Sequence, residues 1–430
     1  MATTTPVDLS DVSLWQNGFP DELFAELRRE QPVFHHELTD GVAATLRRDF
    51  WITTKVRHSQ RIHRDTDAFT AADGPLIQGV GMVGAFPTVI NMDPPLLVKR
   101  RRVLNHAFTP KAVARLEQDI RRRARAMIDG LLEAGGGDWI ADVADVLPMS
   151  VIGDIIGIPE PDRPEIFETF DLILQANSSD SAEMQERHIE LFTKVFGYAQ
   201  ELTARKRAHP TDDIWSTLAT AVVTDETGEQ LSIPTSELEI FFFVLAFAGS
   251  DTTKNALAYG LQAFAEHPEQ IERYRTDESV RSCAVEEVLR WSSPIAFWTR
   301  TTKVDVEFDG VTIPRGERVV SMLRSANRDE EVFDEPFRFD ITRRDNPRGG
   351  CSRSCVTPPG RRRCGGSRSG STSPAATTRT SRSAVAGRIT ASARCWPAPR
   401  SAPFSTSCSP APRTSRSGPP PCSTRTSPTT

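Results

Sequence analysis

The chain has 430 residues with 52 basic and 57 acidic side chains, which gives a formal net charge of −5. The charge is unevenly spread, because residues 348–430 hold 14 arginines and no acidic residue, which leaves 38 basic and 57 acidic residues and a net charge of −19 before them. A body this acidic is not expected to bind nucleic acid, and no apolar run in the sequence is long enough to span a membrane.

The N-terminal sequence and the cysteine content indicate in which cellular compartment the protein is expected. The first residues lack the basic and apolar regions of a secretory signal peptide. Residues 1–347 contain a single cysteine, Cys283, which is typical of a protein in a reducing compartment. We therefore expect a cytoplasmic protein without a membrane anchor.

Helical periodicity dominates residues 1–347, so the fold class expected is mainly α (α+β) with a small β-sheet. Apolar spacing and helix-start or helix-stop residues predict helices over 19–30, 110–134, two segments within 165–207, 237–266 and 280–291. Alternation and turn residues predict strands within 44–53, as an edge strand, and over 304–308, 311–314 and 319–323.

The helix over 237–266 contains an unusual polar segment in its middle. It reads Ala248-Gly249-Ser250-Asp251-Thr252-Thr253. Glycine lowers helix stability, and a threonine hydroxyl can bond back to the carbonyl four residues earlier and bend the helix. A carboxylate beside an alcohol in such a helix suits dioxygen binding and proton delivery. The alternative is a polar stripe on a core helix.

A second pattern, the pair Glu287 and Arg290, is informative because of the motifs that surround it in the sequence. Glu287 and Arg290 are three residues apart on one helix face and can pair, although a surface ion pair would look the same. The surrounding motifs are Asn91-Met92-Asp93-Pro94-Pro95, the basic run 99–102, Ala107-Phe108-Thr109-Pro110, Asn327-Arg328-Asp329 and the segment 332–340.

In this order and spacing, the motifs over residues 1–347 resemble a bacterial-type cytochrome P450. The resemblance implies a cytochrome P450-like helical fold and a haem (heme, iron) monooxygenase that hydroxylates a small apolar substrate with O2. It implies electrons from a ferredoxin and a ferredoxin reductase, and so from NAD(P)H indirectly. The overall pattern is loosely similar to bacterial members that act on sterols and related lipids.

The resemblance also assigns roles to individual residues. Asp251 and Thr252 would relay protons to bound dioxygen. Cofactor-binding positions would be Arg101 and Arg300, at the haem propionates, with Ala248 and Gly249. The structural triad that locks the core behind the haem would be Glu287, Arg290 and Arg338. The substrate pocket would comprise the loop 79–89 with Phe243, Phe247, Ile295, Phe297 and Trp298, with simple core packing as the alternative.

Two departures from the family pattern stand out. Leu97 occupies the position of a histidine that helps to bind a propionate, and Lys99 replaces an arginine. The axial-ligand loop Phe-Gly-x-Gly-x-His-x-Cys-x-Gly is absent after residue 347, since Cys351, Cys355 and Cys364 lack its flanking residues. The metal ligand is therefore unknown, and a non-catalytic P450 remnant that cannot ligate haem by cysteine is the alternative function.

Residues 348–430 contain no Leu, Met, Asp, Glu or Lys and are expected to be an irregular or disordered Arg/Ser/Pro-rich tail. A natural basic tail is one interpretation and a frameshift is the other. A shifted reading frame across 370–410 permits Phe-Gly-Gly-Gly-Gly-Pro-His-His-Cys-Leu-Gly, which is the missing loop. We hypothesise that this tail is out of frame, and sequencing of the coding DNA tests it.

Overall fold

The computed structural model describes residues 9, 11–16, 18–37, 49–77, 87–176 and 182–344. Three earlier expectations therefore lie wholly or partly outside the described residues: the tail 348–430, most of the loop 79–89, and the first part of the strand predicted within 44–53. The fold class is confirmed, since helices predominate and the strands form small sheets.

The helices, in chain order, are α1 Asp21–Glu30, α2 Val56–Arg64, α3 Leu96–Ala107, α4 Pro110–Glu133, α5 Val146–Ile156, α6 Arg163–Ala176, α7 Ala182–Ala208, α8 Ile214–Thr220, α9 Thr235–Glu266, α10 Pro268–Thr276, α11 Arg281–Ser292 and α12 Leu323–Ala326. All the helices predicted from periodicity are among them. The hydroxyl oxygen of Thr109 caps α4 by accepting a hydrogen bond from the Ala112 amide at 3.2 Å, and Pro110 takes the first helical position.

The strands are β1 Val33–His36, β2 Phe50–Thr53, β3 Phe69–Thr70, β4 Val223–Thr224, β5 Gln230–Leu231, β6 Trp298–Thr302, β7 Val306–Phe308, β8 Val311–Ile313 and β9 Arg318–Ser321. The main sheet has the order β1-β2-β9-β6-β3, while β4-β5 and β7-β8 form separate two-stranded sheets.

Two expectations about the strands were wrong in detail. The strand within 44–53 is interior rather than an edge, because β2 pairs antiparallel with β1 and parallel with β9. The strand expected over 319–323 does not continue the β7-β8 hairpin but joins the main sheet between β2 and β6. All four residues of β9 are buried, so its place in the sheet centre buries an apolar pair, Val319 and Val320.

Helix α9 runs through the largest hydrophobic cluster, which also includes residues of α5, α6, α7 and α8. Its first half is buried nearly all round, as predicted, with Leu238, Ile240 and Phe242 fully enclosed. Helix α11 approaches α9 closely at Gly260, where an added Cβ atom would lie 2.8 Å from Val288 Cγ1. These contacts fix the position of the polar segment of α9 against its neighbours.

None of the helices within the described ranges combines the length and apolar character needed to cross a bilayer.

Candidate active site

The polar segment of α9 keeps an uninterrupted helix but changes its environment. Ala246 is buried, whereas Ala248 two residues later is exposed. The Thr252 hydroxyl donates a hydrogen bond to the carbonyl oxygen of Ala248 at 2.8 Å, which is the back-bond that the sequence predicted. The segment therefore presents an open helix face with a threonine hydroxyl held by the backbone.

Gly249 lies on a different side of α9. A Cβ atom at this position would lie 2.5 Å from Cδ1 and 3.1 Å from Cγ1 of Ile152 in α5. Gly249 thus allows α9 and α5 to pack closely. Its described contact is with this neighbouring helix, whereas its predicted role was at the cofactor, so the structure separates Gly249 from the open side at Ala248.

Asp251 lies where α9 meets charged residues of α6 and the start of α5. The Asn255 side-chain amide donates to Oδ2 of Asp251 at 3.3 Å. Burial raises the pKa of Asp171 in α6, and the negative charges of Asp145 and Asp251 raise it further, while Lys254 opposes them. Lys254 also forms an ion pair with Asp145. Asp251 therefore belongs to a group of three carboxylates, with Asp145 and Asp171, near Lys254.

Glu287 and Arg290 of α11 form a completely buried pair. Arg290 donates from Nη2 to Oε1 of Glu287 at 2.7 Å and from Nε to Oε2 at 2.8 Å. The remaining guanidinium nitrogen donates to the carbonyl oxygens of Asn327 and Pro336 at 2.9 and 2.8 Å. This bidentate arrangement ties α11 to the segment that follows α12, and it excludes the alternative of a surface ion pair.

The structure does not bring the Arg338 side chain to this pair. Its side chain is 55% exposed, and its guanidinium pairs with Glu335, three residues before it, at 2.8 Å. Only the backbone oxygen of Arg338 contacts Arg290, at 3.2 Å. Instead Arg343, with a side chain 12% exposed, places Nε 3.4 Å from Oε2 of Glu287. Sequence reasoning missed Arg343, because no motif in the sequence marked it.

The Asn327-Arg328-Asp329 motif adds further contacts to the end of α11 and connects it to the start of α2. The guanidinium of Arg328 is buried, lies 4.6 Å from the ring of Trp291 and donates to the carbonyl oxygens of Arg290 and Trp291. Burial and the neighbouring Arg290 lower the pKa of Arg328 to about 9. Asp329 accepts a hydrogen bond from the Val56 amide at 2.9 Å, at the start of α2.

The two arginines predicted at the propionates lie on different elements. Arg101 is half-buried in α3, and its neighbour Arg100 anchors that helix to the start of α9 through Glu237 at 2.7 Å. Arg300 lies on β6 and donates to the carbonyl oxygen of Thr299 at 2.8 Å. Close to Arg300 is a residue that sequence reasoning missed, His63.

His63 lies near the end of α2 and has an unusual environment. Burial, with the positive charge of Arg300 as the second cause, lowers the pKa of His63 to about 3. Its Nε2 atom is buried and has no hydrogen-bond partner among the described residues. No sequence motif pointed to this histidine.

The predicted pocket residues fall into two groups. Phe243 is buried, with its ring centroid 5.4 Å from that of Phe170 and 4.7 Å from that of Phe192, which is the core packing named as the alternative. Phe247 stacks on Phe243 at 6.0 Å and is half-buried. The second group packs elsewhere: Phe297 joins the cluster of Met322 and β2, and Ile295 and Trp298 are half-buried.

The haem implied by the resemblance needs partners for its propionates and an axial ligand for its iron. The buried Nε2 of His63 beside Arg300 fits a group with a carboxylate. For the axial ligand, Cys283 is the single cysteine within the described ranges, and it borders a cleft of about 330 Å³ lined by Arg273, Ser279 and Thr342, none of which belongs to the α9 segment. Within those ranges, no group of three or more His, Cys, Asp and Glu is placed to hold a metal ion.

Comparisons with known proteins agree with the residue patterns. The sequence model of the family described as Cytochrome P450 matches residues 64–368. The chain is 36% identical over 350 residues to the putative cytochrome P450 126 of Mycobacterium tuberculosis, covering 79% of this chain and 83% of that protein. It is 32% identical over 352 residues to the steroid C26-monooxygenase of Mycolicibacterium smegmatis, covering 80% of each.

Among solved structures, the chain resembles the Mycobacterium marinum cytochrome P450 CYP268A2 in complex with pseudoionone. The TM-score is 0.72 at 30% sequence identity, and the match covers 83% of this chain and 88% of that one.

Proposed function

Because the chain belongs to the cytochrome P450 family, whose members are haem-dependent monooxygenases, we propose that it hydroxylates a small apolar substrate of the sterol or lipid type. The observation that carries this proposal is the Thr252 hydroxyl bonded to the Ala248 carbonyl on an open face of α9, next to Asp251. The similarity to a protein named steroid C26-monooxygenase supports the substrate class.

The protein's own part in the reaction is proton delivery. A hydroxyl has one donor and two acceptor sites, so the Thr252 oxygen can still accept a hydrogen bond while its hydrogen is held by Ala248. Asn255 engages one oxygen of the Asp251 carboxylate, which leaves Oδ1 to take a proton from solvent. We propose that Asp251 passes that proton towards Thr252.

The remaining proposed roles concern the cofactor and its partners. The haem, when bound, supplies oxygen activation, and Arg101 and Arg300 would pair with its propionates. The residues that the structure describes do not supply an axial cysteine for the haem. Electrons are proposed to come from NAD(P)H indirectly, through a ferredoxin reductase and a ferredoxin, the partners implied by the resemblance.

A reduced carbon monoxide difference spectrum of the full 430-residue chain, expressed with haem supply, tests this function. The proposed function requires the red-shifted Soret band of a thiolate-ligated haem, and hydroxylated product when a sterol or a branched lipid is supplied with the two redox partners. A chain that binds no haem would instead be the non-catalytic remnant.

Substrate binding is tested by the spectral shift on titration with a sterol. Phe247→Ala is expected to weaken it, because Phe247 is half-buried at the edge of the aromatic cluster. Val285→Ala, on the exposed side of α11, is the control.

A further inference from the structure

His63 combines a buried, unpaired nitrogen with a cationic neighbour. Its Nε2 atom is buried without a hydrogen-bond partner in the described part of the chain. More than nine in ten buried polar groups in proteins have a partner, so this atom needs one from outside the described residues, either a ligand atom or a buried water. The imidazole is neutral at neutral pH because burial and Arg300 keep its pKa at about 3. A neutral imidazole can donate one hydrogen bond.

The surroundings of His63 and Arg300 favour binding of an anion that accepts hydrogen bonds. The acid nearest in sequence, Asp65, is already engaged, since its Oδ1 accepts from the Ala68 amide at 3.0 Å and its Oδ2 lies 3.7 Å from Arg61. Arg61 itself donates to the backbone oxygen of Glu307. A carboxylate brought by a ligand would pair with the charge of Arg300 and accept the hydrogen bond of His63, and bonds of this charge-assisted kind are the stronger ones.

A residue difference in α3 removes one hydrogen-bond donor that the family pattern places at a haem propionate. Leu97 in α3 stands where the family pattern has a histidine that binds a propionate, and a leucine side chain cannot donate. We propose that His63 donates from Nε2 to a haem propionate that Arg300 also binds, and so replaces the donor lost at Leu97. This proposal rests on the proposed function, because it requires that the chain binds haem.

The test compares two probes on the full chain: haem and haem dimethyl ester, in which both propionates have lost their charge. Dissociation constants are measured by absorbance titration of apoprotein. Replacement of His63 by phenylalanine, His63→Phe, should weaken haem binding about tenfold, the loss of one hydrogen bond to a charged group. It should weaken binding of the ester clearly less, because a neutral ester oxygen is a weaker hydrogen-bond acceptor than a carboxylate.

Two further variants serve as controls. His63→Gln retains a side-chain N–H donor and should recover most of the haem affinity, which also addresses misfolding of the phenylalanine variant. His209→Phe replaces an exposed histidine that follows α7 and should leave both dissociation constants unchanged.

The outcomes separate this proposal from the function on which it rests. If His63→Phe weakens both probes equally or neither, the His63 assignment is overturned while haem binding stands, and a buried water is then the partner of Nε2. If the wild-type chain binds neither probe, the proposed function fails and the assignment fails with it. A loss confined to haem, with recovery in His63→Gln, supports the proposal.

Discussion

The region around Glu287 and the region around Asp251 are built in opposite ways. Glu287 and Arg290 are fully enclosed and bond to each other, Arg290 also donates to backbone oxygens, and Glu287 accepts from the Asp340 amide. Asp251 and Thr252 lie on a partly open helix face, where Asp251 accepts a side-chain hydrogen bond from Asn255 and Thr252 donates one to the carbonyl oxygen of Ala248. The first arrangement suits a fixed scaffold, and the second leaves atoms available for chemistry. Substitutions in the two regions should therefore affect different properties.

Arg290→Ala should have the largest effect and should act on stability. It leaves the Glu287 carboxylate buried without its partner, and breaking a buried pair in this way costs about 3–5 kcal/mol. The measurement is the free energy of unfolding in urea. Arg338→Ala is the matched control and should cost less than about 1 kcal/mol, because its ion pair is exposed. An equal loss in Arg338→Ala would mean that Arg338, rather than Arg343, supports Glu287.

Thr252→Ala should act on turnover and hardly on folding. Removal of the hydroxyl would interrupt the proposed proton delivery, and general acid catalysis contributes about 10²-fold or more. We expect product per NAD(P)H oxidised to fall at least tenfold and hydrogen peroxide to rise, with the unfolding free energy changed by less than about 1 kcal/mol. Thr253→Ala, at the exposed neighbouring position, should leave coupling unchanged. Unaltered coupling in Thr252→Ala would remove this residue from the relay.

Gly249→Ala tests the close packing of α9 against α5. The added methyl group would collide with Ile152, and overpacking costs about 1–3 kcal/mol. Gly197→Ala in α7 meets nothing within 4 Å and should instead stabilise the helix by about 0.5–1 kcal/mol. The double variant Gly249→Ala with Ile152→Val should recover part of the loss. Destabilisation of equal size in both glycine variants would contradict the close approach.

Asp171→Asn should have the smallest effect, and its sign follows from the raised pKa. Because the folded protein holds the Asp171 proton more tightly than the unfolded chain, the folded state is favoured at low pH, and this advantage is lost as pH rises through the raised pKa. The variant should therefore be more stable than the wild type by a few tenths of a kcal/mol at pH 7. The difference should vanish well below the ordinary pKa of 3.8.

Urea unfolding at several pH values measures the effect of Asp171→Asn. Glu168→Gln, at another exposed carboxylate on the same helix, is the control. A variant less stable than the wild type at pH 7 would contradict the sign.

Local patterns predicted the elements that carry the site. The apolar faces and stop residues of α1, α4 and α9 depend on neighbours within a few turns, so periodicity locates them. The i, i+3 spacing of Glu287 and Arg290 likewise predicted a pair, and the position of Thr252 predicted its bond to Ala248. The order of these motifs along the chain was enough to indicate the family.

Contacts between distant segments could not be predicted in this way. Arg343 and Arg338 look alike in sequence, and only the path of the chain after α12 places one at Glu287 and the other in solvent. The same holds for His63 beside Arg300, whose segments are far apart in sequence.

The sequence by itself determined the helical framework, the family and the acid–alcohol pair on α9, because these depend on residue order and short spacings. Only the tertiary structure decided which arginine joins Glu287, that Gly249 faces α5, that β9 enters the main sheet and that His63 lies buried beside Arg300. The physical reason is that burial and long-range pairing depend on how whole elements pack against each other. No local pattern of residues encodes that packing.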